Sequence, residues 1–457
     1  MKRTLFYLLP FLFPLVVSAQ EVGNKSSPLD YLWMNVGEAG FSEGVASYMS
    51  ITLSPSGQPY VAYSGDSYIG TVRKFDGINW VNVGVTGFST SETSEKDLKF
   101  NLSGNLYIAY RDYGENARAT VKKFDGTNWV NVGNPGFSEW VAAYISLAFN
   151  PSDSTPYVGF CDANHSGKAS VMKFDGTNWL YAGNPGFSGN GVMYTNLSFS
   201  STGEPYLIFE DMGASFKATV MKFNGADWVY VGERGFSAGS AEFTDIAFSP
   251  SGQAYVVYQD SENSEKATVM KFDGIDWVTV GAAGFTEGAA NYTNLVFSPI
   301  DGKPYVAYSD AANSKKASLK KFDDTNWVDV GSPNFSESST WDLSFAFSPS
   351  GQPFVAFTDG ANSFKATVMT YDSVMVDIKK AQGSRLSLFP NPVSDIITLE
   401  TPIKGQLSII NLHGQQVFTR QITESKTQLD ISNLHVGVYF VRLTGTNMVQ
   451  VGKIVKQ

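Results

Sequence analysis

The sequence predicts an all-β protein: a seven-bladed β-propeller closed by its N-terminal strand, followed by a small C-terminal β-sandwich. Three observations lead there. Tryptophans recur at Trp33, Trp80, Trp129, Trp179, Trp228, Trp277 and Trp327, at spacings of 47, 49, 50, 49, 49 and 50 residues. Each interval holds four short runs rich in β-branched and aromatic residues, with no 3.6-residue apolar period. The two ends of the repeat are complementary. The Trp33 run stands alone, and the last repeat supplies only three runs, within residues 343–372.

Four strands per repeat of about 50 residues is propeller arithmetic. A solenoid would need capping repeats at both ends, and none is present. With the strands lettered a to d from the axis outward, Trp33–Val36 becomes strand d of the last blade, which hides the open edges. The predicted propeller spans residues 30–372.

The turns agree. Ser249-Pro250-Ser251-Gly252 suits a type I turn between strands a and b. Asp175-Gly176 and Asn224-Gly225 supply the positive φ of a tight turn between c and d. Asp323-Asp324 breaks that pattern and predicts a looser hairpin. Each d-to-a connection carries Gly-Phe-Ser or a variant of it, as at Gly136-Phe137-Ser138.

Composition narrows the function. Hydrophobic residues are 43% of the 457-residue chain and charged residues 17%, a globular balance. The formal net charge of −10 repels phosphate backbones, so nucleic acid is not expected as a partner. Cys161 is the one cysteine, so no intramolecular disulfide is possible; it reads as a small strand residue.

Residues 1–19 read as a secretory signal: Lys2 and Arg3, then an apolar run from Leu5 to Val17, then small residues at Val17-Ser18-Ala19. Cleavage is expected between Ala19 and Gln20. No later stretch is apolar enough to span a bilayer.

The repeat stops before residue 373, and residues 373–385 read as a linker. Pro390-Asn391-Pro392 then opens a new β pattern. An Asp430-containing segment, the Gly437-Val438-Tyr439 strand and a basic last strand with Lys453 follow. In order and in combination these resemble the type A C-terminal sorting domain of the type IX secretion system, over residues 386–457. The resemblance implies a Bacteroidota source, Sec export, passage through the outer membrane by the type IX machinery as partner, and removal of the tail. The mature protein is then surface-attached or released. The tail is silent on what the cargo does.

Catalytic provision is thin. His165 is the one histidine in the propeller, and no Gly-x-Ser-x-Gly, His-Glu-x-x-His or P-loop occurs. A catalytic carboxylate pair would have to break the repeat's symmetry; Glu92 and Glu95 come closest and read as surface charges. The Asp-Gly-x-x-Trp turn is similar to the sialidase Asp-box but lacks its leading Ser and spacer, so no activity is carried over from it. No metal-ligand spacing is present and no cofactor is expected.

Two repeated features are candidates for binding. Asp112, Asp162, Asp211, Asp260, Asp310 and Asp359 each precede a Lys or Arg by six residues, across the b-to-c loop. Either they ring a ligand, or each is a scaffold Asp that binds loop backbone, helped by a weak ion pair. The second is an aromatic series near the axis: Tyr48, Tyr144, Tyr194, Phe243 and Tyr292, seven residues after the Gly-Phe phenylalanine, with Trp341 six after its own. These rings either stack on sugar faces at a pocket mouth or plug the channel. The tryptophan series itself reads as packing between blades. Three functions therefore compete: a secreted recognition module for glycan or another surface or matrix ligand, a glycan-active hydrolase or lyase with one asymmetric site, and a structural envelope component.

Overall fold

The computed structural model describes residues 30–84, 87–374, 386–402, 404–411, 416–445 and 449–457. The signal, its Ala19–Gln20 cleavage site and linker residues 375–385 lie outside them.

Seven antiparallel four-stranded sheets follow one another along the chain. In blade one the strands are Ser47–Leu53, Pro59–Ser64, Gly70–Phe75 and Trp80–Asn82. Blades two to six repeat this order. Blade seven takes strands a to c from Thr340–Phe347, Pro353–Asp359 and Lys365–Val374, and its strand d from Asp30–Asn35 at the other end of the chain. That pairing runs from Asp30 opposite Val374 to Asn35 opposite Met369. Strand c thus runs two residues into the expected linker. The only helices are single 3-10 turns in the b-to-c loops, among the described residues.

The tryptophans join blade to blade. Each indole Nε1 donates to a carbonyl just past strand d of the preceding blade, at 2.7–2.9 Å, from Trp33 to Val330 O through Trp327 to Val280 O. Six of the seven rings also lie flat on the Gly-Phe phenylalanine of the seam. Trp228 on Phe187 is an example, with centroids 4.2 Å apart. Gly232 must be glycine here: its φ is +73°, and a Cβ would lie 2.9 Å from Trp277 Cδ1. Trp277→Phe is expected to cost about 1–3 kcal/mol, because Val231 O stays buried without its donor. A urea midpoint equal to that of the parent chain would refute this.

The Asp323-Asp324 hairpin is not looser than the others. Asp324 takes φ +84° in the place of glycine. Asp323 N still donates to Asn326 O at 3.0 Å, as Asp273 N does to Asp276 O. A short polar side chain tolerates the left-handed region that the turn requires.

The tail forms two sheets, one of three strands and one of four, over a shared apolar core that includes Ile397, Leu407, Ile409, Leu429, Val441 and Ile454. Asn391, between exposed Pro390 and Pro392, clamps the last strand. Its amide donates to Lys453 O and its carbonyl accepts from Val455 N. Buried Tyr439, two residues after Gly437, donates its hydroxyl to His435 O at 2.8 Å.

Candidate functional site at the propeller axis

Strand a of every blade carries a β-bulge near its start, where register with strand b slips. The bulge residue has a left-handed backbone in all seven blades: Tyr48, Glu95, Tyr144, Tyr194, Phe243, Tyr292 and Asp342, with φ between +47° and +55°. Glycine or asparagine would sit there with less strain, and none of the seven is either. The d-to-a and b-to-c loops leave the same end of the strands, so these seven side chains ring the axis at one mouth of the propeller.

Two residues depart from the sequence reading. Trp341 is not a ring member. The strict seven-residue spacing from Phe335 lands on Asp342, and Trp341 lies one position outside, edge-on to Phe364 with the Lys315 ammonium 4.9 Å from its centroid. Glu95 is not a surface charge. It is a ring member, its carboxylate 3.1 Å from Arg111 Nη1 and accepting from the Tyr144 backbone N–H. Asp342 plays the matching part, accepting from Tyr48 N at 2.9 Å. Burial pushes both carboxyls up from the usual range.

The ring is therefore lopsided. Tyr144, Tyr194, Phe243 and Tyr292 form a continuous aromatic arc over blades three to six, with centroids 5.2, 5.1 and 5.1 Å apart and planes inclined by about 50°. Asp342, Tyr48 and Glu95 close the circle. Behind them lies Lys96, 8% exposed, its ammonium 5.1 Å from the Tyr48 centroid and bonded to Ser64 Oγ. The arc and Lys96 line a cavity of about 260 Å³, and Lys96 also borders a channel of about 820 Å³ running down the axis.

The Asp series sits elsewhere, under the b-to-c loops. Asp112, Asp162, Asp211, Asp260, Asp310 and Asp359 are 0–7% exposed. In each, Oδ1 accepts from the backbone N–H two residues on, which fixes the 3-10 turn. Oδ2 of Asp260 takes the Thr268 hydroxyl at 2.7 Å and the Asn263 amide at 2.8 Å. The basic residue six positions on is the strand-register partner, as Lys266 is for Asp260, but it forms no ion pair with the Asp among the described residues. Asp211 pairs with Arg234 instead, at 2.6 Å. His165 Nδ1 lies 2.9 Å from Asp162 Oδ2, and Ser170 also donates to that oxygen. Ser170 thus faces the carboxylate, not the imidazole, which is not the order a nucleophile and its base require.

The chain is a propeller with an appended sorting domain. Residues 387–457 match the family described as secretion system C-terminal sorting domain. This tail is the type IX sorting domain, so the protein is exported by that machinery to the cell surface or the extracellular space. Among the described residues no helix is long and apolar enough to cross a membrane. No curated protein matches the chain. Among solved structures it is similar to the BP39L lectin of Burkholderia pseudomallei, at 13% identity and TM-score 0.54, over 73% of this chain and 99% of that one. It is also similar to a fungal alcohol oxidase of the AA5 family in complex with copper, at 11% identity and TM-score 0.51, over 93% and 99% of the two chains. At these identities the likeness is one of fold.

Proposed function

We propose that the protein is an exported recognition module that binds glycan at a single site on the propeller axis. The observation that carries this reading is the aromatic arc over the 260 Å³ cavity. Rings inclined to one another at an open mouth offer flat apolar faces to the C–H side of a sugar, and nearby polar groups offer partners to its hydroxyls. Seven strained backbones, each carrying a large or charged side chain, support a role beyond packing.

The hydrolase or lyase reading draws on the asymmetry of Glu95 and Asp342. Both carboxylates, however, already accept backbone hydrogen bonds from the next blade. They are held as seam residues, which favours binding over catalysis.

The test is a glycan array probed with the mature chain from residue 20, followed by calorimetry on the best ligand. Tyr194→Ala is expected to weaken binding about tenfold, since Tyr194 touches a ring on either side in the arc. Trp341→Ala, outside the ring, is expected to leave it unchanged. A folded sample that binds nothing, or binds equally well without Tyr194, would sink the reading.

A further inference from the structure

At the end of strand b one residue of each blade lies opposite the residue that immediately precedes the bulge. In blade five this is Gln259, opposite Glu242, and its amide donates to Ala290 O and to Asn291 Oδ1 of blade six, each at 3.2 Å. In blade four the equivalent residue is Glu210, opposite Met193, and the equivalent of Asn291 is Glu242. The seam between blades four and five thus sets two carboxyl groups where the next seam sets two amides.

Two amides satisfy each other, and two carboxylates repel. Glu210 is 2% exposed, and its Oε2 has no hydrogen-bond partner among the described residues. Burial, and then the charge of Glu242, pushes Glu210 up to about 7. No Lys, Arg or His side chain pairs with either group among the described residues. Arg234, on the same blade, is committed to Asp211. A buried carboxyl set beside a second carboxylate, without a cation, is costly to keep.

The pair lies against the arc. Glu242 accepts the Tyr194 hydroxyl at 3.2 Å, and its charge is felt by both Tyr194 and Tyr144. What the pair lacks is a positive group, and what surrounds it is aromatic. We propose that Glu242 and Glu210, with the faces of Tyr194 and Phe243, form a subsite for an alkylammonium group, so that the preferred ligand is an amino sugar bearing a free amine. This rests on the glycan reading for the placement of the rest of the ligand. An exposed carboxylate beside inclined aromatic faces holds an organic cation by charge and by ring quadrupole together. A calcium ion fits less well, since it seeks six to eight oxygens, and no group of three or more His, Cys, Asp or Glu side chains suited to a metal occurs among the described residues.

The experiment compares three oligosaccharides of equal length on the mature chain at pH 7 by calorimetry: β-1,4-linked glucosamine, its N-acetylated form, and the β-1,4 glucose oligomer. The amino form is expected to bind at least tenfold tighter than the other two. Glu210→Gln with Glu242→Gln is expected to bring that ratio near one while leaving the glucose oligomer within twofold. Gln is what blade five carries at the first position, so the fold is expected to tolerate it; should the pair of changes unfold the chain, Glu242→Gln alone gives the same reading at the exposed member. A ratio near one in the parent chain, or a preference that survives the substitutions, overturns the subsite and leaves the glycan reading standing. No binding of any of the three by a folded chain overturns both. Calcium binding lost in the variants, with no amine preference, overturns the subsite in favour of a metal.

Discussion

Deletion of Asp30–Asn35 is expected to lower the melting temperature of the propeller by at least about 10 °C. This six-residue strand holds the two ends of the ring together. It pairs along its full length with Lys365–Val374. Its Trp33 donates to Val330 O at 2.8 Å and stacks on Phe335 with centroids 3.7 Å apart, so it ties blade seven to blade six as well. Without it, strand c of blade seven becomes an unprotected edge and the Phe335 face is bared. Trp33 is half-buried, so its loss costs somewhat less than the about 3–5 kcal/mol of a fully buried Trp, but a strand's hydrogen bonds go with it. Calorimetry on chains beginning at residues 20 and 36 makes the comparison, since Val36 must stay to accept the Trp80 indole. Equal midpoints would mean that the ring does not depend on its closure.

Lys96→Met is expected to do the reverse and stabilise the fold by about 2–4 kcal/mol at pH 7. Three of the six equivalent strand positions hold buried apolar chains, Met49, Ile145 and Leu343, and the other three hold threonines, so the position accepts an apolar side chain. Lys96 is buried, and neither Glu95 nor Asp342 comes within ion-pair distance of it. Burial pulls its ammonium down to about 7 from 10.5. The sign follows. Between pH 7 and 10.5 the unfolded chain holds a proton that the folded chain lacks, so parent stability rises with pH there, by up to about 1.4 kcal/mol per unit. Below pH 7 the full burial cost remains. Urea midpoints at pH 7 and 9.5 should therefore converge: the variant leads at neutral pH, and the parent recovers in alkali. A constant gap between the two proteins would refute the assignment.

The ring of blades was legible because its signals repeat. One Trp in the wrong place is noise, but seven at one period specify a seam, and a lone first strand with a final trio specifies closure. The axial site was less legible because it lies in departures from the repeat. The bulge after Ser47 and its equivalents inserts a residue and breaks the two-residue alternation, so parity alone cannot say that Glu95 faces the axis or that Lys96 is buried behind it. Choosing Trp341 by side-chain type instead of by spacing hid Asp342. The Asp series carried a readable clue in Ser170, Thr219, Thr268 and Thr367, eight residues on, whose hydroxyls reach the Asp carboxylates. Glu210 carried a clue only when blade four was laid against blade five, where Gln259 shows what the seam would otherwise hold.

The left-handed bulge makes the mouth of this propeller a socket with seven interchangeable inserts. Backbone geometry there is held by the sheet and by seam contacts, so apart from the two carboxylates that make such contacts the identity of each insert is free to drift. Glycine would relieve the local strain by about 1 kcal/mol. An ancestor with an unused mouth would thus be expected to slide toward glycine at these positions, blade by blade. Retention of four clustered aromatics is, on that logic, a mark of use that can be read from one chain; the two carboxylates are held by their seam hydrogen bonds. It also offers a practical tool: Tyr194→Gly should weaken binding about as much as Tyr194→Ala while easing the backbone strain that the alanine variant keeps.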